Sequence, residues 1–194
     1  MAFPHSLIKQ FITINKSIGT ILVDFRDPAL RADKTYRLGA DTFDLRKALG
    51  QFATGVTIVT TISGDGVPHG LTINSFTSVS LDPPLILICI AKDAGTLAHF
   101  LANEMFAINI LEAGQTQLAR TFATHNIDRF ANTDWHKGEL NAPLLNNTIA
   151  SLECKRAQTH DAGDHVIIIG EVQKASYQTD QAPLLYFSGK LGPI

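Results

Sequence analysis

From Val56 onward the chain alternates short β-branched or apolar runs with tight clusters of turn residues. Val56–Ile62, reading VTIVTTI, is dense in Val, Ile and Thr, and Ser63-Gly64-Asp65-Gly66 then supplies hairpin turn chemistry. Val67–Ser75 is the expected returning strand. Leu85–Ile90 is apolar at every position, the pattern of a strand covered on both faces, and it is read here as central. Met105–Leu111 alternates as a strand. Ile149–Gln158 and His165–Gln178 form a pair joined by a turn at Asp161-Ala162-Gly163-Asp164, and Leu184–Phe187 is a last fragment.

Helical signals are fewer. Asp41 or Thr42 can cap a first helix whose Leu45, Ala48, Leu49 and Phe52 fall on one apolar face, ending between Gly50 and Gly55. Thr96 can cap a short helix carrying Leu97, Phe100 and Leu101, and another is expected near Gln115–Ala123. Thr124–Asn147 reads as a long loop, which Phe130 and Trp135 should pin to the body of the protein. Strands joined by short turns, with helices only at a few crossings, predict an antiparallel barrel of Greek-key type. Residues 1–40 show no sustained period. They are read as an N-terminal extension before a single domain over 41–194.

Composition narrows the class. With 194 residues, 45% hydrophobic, and a formal net charge of −2, the chain has the balance of a globular domain and no basic excess for nucleic acid. No apolar run reaches membrane-spanning length, and the N-terminus lacks the order of a secretory signal, so the expected location is the cytoplasm. Cys89 and Cys154 lie in apolar strands without metal or redox spacing, and the seven histidines are scattered without ligand spacing, so no metal site is expected. Glycine-rich nucleotide loops and a Gly-x-Ser-x-Gly elbow are absent from the sequence.

The densest candidate chemistry is Gly70–Cys89, GLTINSFTSVSLDPPLILIC, where a polar half meets an apolar half across Asp82-Pro83-Pro84. Thr72, Asn74, Ser75, Thr77, Ser78 and Ser80 could satisfy a ligand rich in donors and acceptors, or could form the wet face of an edge strand. His165 follows a glycine turn at the head of a strand, positioned for a cavity or for solvent. Lys92 and Thr96 bracket a helix start, which suits a phosphate as well as an ordinary cap. Arg129 and Phe130 put a cation and a ring in the long loop.

In conjunction these pieces resemble the flavin reductase family of the FMN-binding split barrel, the reductase partners of two-component flavin monooxygenases. The resemblance covers Phe43–Phe187: TGVTIVTT at 54–61, the 70–90 stretch, Asp128-Arg129-Phe130, Trp135 with Gly138 and Ala142-Pro143-Leu144-Leu145, Ile149–Cys154, Gly163-Asp164-His165, and Pro183–Phe187. It implies a six-stranded Greek-key split barrel, dimeric, using FMN or FAD with NADH or NADPH as hydride donor and serving an oxygenase component through diffusing reduced flavin. The isoalloxazine ring would lie against Thr72–Ser80, with contacts from Asn74, Ser75, Phe76, Val79 and Ser80. Lys92 and Thr96 would reach the phosphate, Arg129 would assist, and His165 would position the nicotinamide. Ala94 stands where the family often has Ser, so the phosphate grip is thinner in side-chain donors unless Gly95 lets backbone N–H groups curl into an anion nest. The C-terminal tail is less basic than usual. A flavin-holding electron-transfer or storage protein on the same barrel is the rival reading.

Overall fold

The computed structural model describes residues 42–192, so the extension expected over 1–40 lies outside the described residues. In chain order the elements are α1 (Thr42–Leu49), β1 (Thr54–Gly55), β2 (Thr57–Ile62), β3 (Pro68–Ile73), β4 (Thr77–Leu81), β5 (Pro84–Ala91), α2 (Leu97–Ala102), β6 (Met105–Ile110) and α3 (Thr116–Ala123). There follow β7 (Trp135–Lys137), β8 (Pro143–Leu145), β9 (Ala150–Ala162), β10 (His165–Tyr177), β11 (Leu185–Phe187) and β12 (Lys190–Leu191). The main sheet is wholly antiparallel in the order β3-β2-β6-β9-β10-β5-β4.

Its two outermost strands, β3 and β4, come from one stretch of chain broken only at Asn74-Ser75-Phe76. β3 pairs with β2 while β4 pairs with β5, so this stretch leaves one edge of the sheet and joins the other. Counted as one kinked strand, it gives the six strands expected and draws the sheet into a split barrel. The β4–β5 register, in which Thr77 faces Leu87, puts Ser75 opposite Cys89. There the side chain takes over from the backbone: Ser75 Oγ donates to Cys89 O at 2.9 Å and accepts from Cys89 N at 3.0 Å.

The core forms where β-branched runs meet. Val59, Ile73, Ile86, Ile88, Ile90, Phe106, Ile108 and Ile168 fill the barrel, and a second cluster of Val56, Ile58, Leu111, Phe122 and Leu184 lies beneath α3. β2 is buried along its whole length despite three threonines. Their hydroxyls remain hydrogen-bonded: Thr57 to Ile73 O, Thr60 to Pro143 O and Thr61 to Met105 O.

Three expectations need correction. β5 is next to last in the sheet, and only alternate residues (Ile86, Ile88, Ile90) are buried; Leu85, Leu87 and Cys89 are half-exposed, so its unbroken apolar run marks a second apolar face lacking full cover. α1 buries none of its residues, leaving Phe43, Leu45, Leu49 and Phe52 exposed. The stretch 124–147 contains the β7–β8 hairpin, held by Asn109, whose Oδ1 accepts from Leu145 N at 2.9 Å. Phe130 and Trp135 do pack as anticipated: Phe130 stands edge-on to Phe122 at 5.0 Å and to Trp135 at 5.7 Å.

Candidate functional site

The residues of 72–80 divide between closing the barrel and facing outward. Thr72 Oγ1 donates to Ala119 O at 2.7 Å, docking α3, and the Ser75 hydroxyl is committed to Cys89, so neither side-chain donor is free for a ligand. The demand of a kinked strand for hydrogen-bond partners absorbs them. Phe76 packs on the barrel core. Asn74 is exposed and makes no side-chain hydrogen bond among the described residues, while Ser80 Oγ accepts from Asp82 N at 3.2 Å.

Val79 occupies a special position. Ser78 pairs with Ile86 and Ser80 with Leu85, so Val79 is the extra residue of a β-bulge, 48% exposed. Beside it run the half-exposed Leu85, Leu87 and Cys89 of β5. The result is a shallow surface with an apolar floor, an unspent amide at Asn74 and a re-aimed strand, which suits a flat heteroaromatic ring with polar edges.

At the far end of β5 the β9–β10 turn closes in two residues, with Gly163 at φ +61° and Ala162 paired to His165. His165 is 44% exposed, and its Nδ1 lies 2.7 Å from Asp164 Oδ1, leaving Nε2 uncommitted. The hydrogen bond from His165 and then its charge hold the Asp164 carboxyl below the usual range. Lys92 joins this turn: its N–H donates to Asp164 O at 2.9 Å, and its Nζ lies 3.2 Å from Asp161 Oδ1.

Lys92 therefore sits with His165. Thr96 and Arg129 instead line a cavity of about 350 Å³ between the β2–β3 end and residues 125–130, and Lys92 is absent from that lining. Arg129 is held by three bonds, Nε and Nη2 to Thr124 O and Nη1 to Gly70 O at 2.6 Å. Thr96 stands at the N-cap of α2 without a side-chain cap bond, contrary to expectation, and its Oγ1 is buried with no partner. α2 has only six residues, and Gly95 is not among the glycines with positive φ, so neither a long helix dipole nor a left-handed anion nest is built at Gly95.

Sequence reasoning missed a pair of histidines beside this cavity. His69 on β3 and His99 in α2 stack with centroids 3.5 Å apart and planes within 7°, and His69 Nε2 meets Ser63 Oγ at 3.1 Å. Burial, and then the nearby charge of His99, push the His69 pKa down. Thirty positions separate the two in sequence, so no local spacing could reveal them. A second cavity, of about 340 Å³, lies by β7 and β9. Several of its polar groups already have partners: Glu153 Oε2 accepts from Leu140 N, Lys174 pairs with Glu139, and His136 Nδ1 meets Asn146 Oδ1.

Fold and surface together define a split-barrel protein in which a half-exposed β4–β5 surface carries apolar side chains and the Asn74 amide, with a histidine-bearing turn at the far end of β5. Residues 49–194 match the flavin reductase like domain, and the chain belongs to that family. It is 44% identical over 154 residues to the FMN reductase (NADH) of Agrobacterium fabrum, covering 79% of this chain and 87% of that one. It is 39% identical over 145 residues to the reductase subunit HsaB of a flavin-dependent monooxygenase from Rhodococcus jostii, covering 75% and 74%. The solved NADH:FAD oxidoreductase of Streptomyces globisporus C-1027, in complex with NAD and FAD fragments, superposes with a TM-score of 0.75 at 44% identity, covering 79% of this chain and 93% of that chain.

Proposed function

We infer that the chain is an NAD(P)H-dependent flavin reductase, passing hydride from NADH or NADPH to FMN or FAD and supplying reduced flavin to a monooxygenase partner. The observation that carries this reading is the exposed, bulged Asn74–Ser80 strand against the half-covered face of β5, in a chain of this family. The seat fits an isoalloxazine: Asn74 and the backbone around the Val79 bulge address its polar edge, while Leu85, Leu87 and Cys89 floor it.

When bound, nicotinamide and flavin supply the hydride chemistry between them, so the protein is asked chiefly to hold and orient two rings. His165 is read as a positioning residue for the nicotinamide, its Nδ1 fixed by Asp164 and its Nε2 left to face a ligand. Thr96 and Arg129 are read as the phosphate grip, with Lys92 steering charge near the His165 turn. An exposed apolar group such as Leu81, at 94%, favours a homodimer that covers it. Two free thiols, Cys154 buried among them, fit a reducing cytoplasm.

The test is NADH oxidation with excess free flavin. Turnover that rises with flavin and saturates is expected, and absence of turnover by folded protein would sink the reading. His165→Ala should raise the KM for NADH more than the Kd for flavin, and unchanged NADH parameters would remove His165 from the site.

A further inference from the structure

The cavity of about 340 Å³ beside β7 and β9 shares no lining residue with the β4–β5 surface, the His165 turn or the Arg129 cavity. Strand register builds it. His136 of β7 stands opposite Leu144 of β8, while on the long β9–β10 hairpin Ser151 stands opposite Ser176 and Glu153 opposite Lys174. All six line the space, whose volume suits one small molecule.

The cavity contains a buried charge that the fold leaves half-satisfied. Glu153 is 3% exposed, and its one hydrogen bond among the described residues is that accepted by Oε2 from Leu140 N at 2.7 Å, so Oε1 is uncommitted. Lys174, the cross-strand neighbour that could neutralise it, pairs with Glu139 instead. A carboxylate buried to this degree is costly unless a cation or further donors meet it. Gly138 permits the arrangement, because an added Cβ there would overlap the carboxylate.

The opposite charge is available in the same lining. Lys137 is exposed and makes no ion pair among the described residues. The Lys174–Glu139 pair is neutral as a unit, so Glu153 and Lys137 are the two charges left for a ligand. Leu144 adds an apolar wall, and Ser176 an exposed hydroxyl without a hydrogen bond among the described residues. A partner for this set carries a cationic donor at one end, an anion at the other and a short carbon chain between.

We propose that this cavity binds a small amino-acid-like zwitterion, its ammonium on Glu153 and its carboxylate on Lys137, with the connecting carbons against Leu144. None of these residues is assigned to flavin or nicotinamide, and the inference stands apart from the flavin reductase reading.

The test is calorimetric titration of the full-length protein with β-alanine, γ-aminobutyrate and ε-aminocaproate, which set the two charges progressively further apart. Butylamine and butyrate, with one charge each, are the controls. At least one zwitterion should bind with a Kd of about 1 mM or tighter, and about tenfold better than either control. Glu153→Gln removes the charge while keeping an acceptor for Leu140 N, and should weaken that zwitterion about tenfold. Lys137→Met should do the same. Ser176→Phe fills the cavity from an exposed position without altering either charge, and should abolish binding. Because Lys137 and Ser176 are both exposed, these two variants test the site even if Glu153→Gln fails to fold. Absence of binding by any zwitterion to the folded wild type, binding of butylamine as tight as that of γ-aminobutyrate, or unchanged affinity in Lys137→Met or Ser176→Phe overturns the proposal.

Discussion

Ser75→Ala separates the two things the 72–80 stretch could be doing. The Ser75 hydroxyl makes two hydrogen bonds to one residue, donating to Cys89 O at 2.9 Å and accepting from Cys89 N at 3.0 Å. Each is worth about 1 kcal/mol net, so their loss costs about 2 kcal/mol, and the stranded Cys89 N–H raises this toward about 3 kcal/mol. For a chain of this size 1 kcal/mol shifts Tm by about 2–4 °C, so the expected fall is about 4–12 °C. The assay is thermal melting and a urea titration of wild type, Ser75→Ala and Ser75→Thr, with flavin affinity measured on each. Ser75→Thr keeps the hydroxyl and should recover most of the loss. The reasoning is refuted if Ser75→Ala unfolds within about 0.5 kcal/mol of wild type while its flavin affinity falls tenfold, since the hydroxyl would then belong to the ligand.

Other outcomes follow from the same coordinates. Gly170→Ala should destabilise by about 1–3 kcal/mol, because its Cβ would lie 2.4 Å from Phe106 Cζ in a buried ring and 3.2 Å from Cys154 Cβ; an unshifted urea midpoint would contradict this. Burial and the neighbouring Glu153 charge push the Cys154 thiol up to about 12, so a thiolate-specific reagent at mildly alkaline pH should label it only at the rate of unfolding. His69 should titrate below its ordinary 6.5, through burial first and the His99 charge second, and His99→Ala should move the midpoint upward in an NMR titration. Because the folded state takes up that proton less readily than the unfolded chain, His69 lowers stability as pH falls through 6.5; a midpoint at or above 6.5 would refute this.

The sequence was most legible where side chains alone decide the backbone. β2 and the long β9–β10 hairpin follow from β-branched density and the Gly163 turn, β6 was expected from alternation although Phe106, Ala107, Ile108 and Asn109 are all buried, and α3 was placed within a residue of its observed start. The β7–β8 hairpin was not legible because its strands are three residues long and owe their pairing to a buried network from Asn109 and Thr60 on other strands. α1 carries the pattern of a buried face, yet a pattern records only that a face is apolar, and among the described residues nothing covers it. Lys92 and Thr96 illustrate the same limit at the site. Four residues apart they read as one phosphate grip, but the chain turns between them, so that one joins the His165 turn and the other the Arg129 cavity.

The kink at Asn74-Ser75-Phe76 explains why one stretch concentrates so many polar groups. A strand that must leave β2 and join β5 breaks its own ladder at the crossing, and its backbone partners have to be replaced by side chains. Ser75 does this toward Cys89, and Thr72 ties the preceding strand to α3. Closure consumes those hydroxyls. The same break frees Asn74 from any such duty, and the bulge at Val79 shifts the register by one, so that Ser80 and Leu81 pair with Leu85 and Pro84. Residues that sequence alone lumps together thus divide by position along the kink, one set completing the barrel and the other facing the half-covered side of β5. The outward-facing surface at that point is a consequence of how the barrel closes, because the crossing is where strand backbone and side chains can face outward without opening the core.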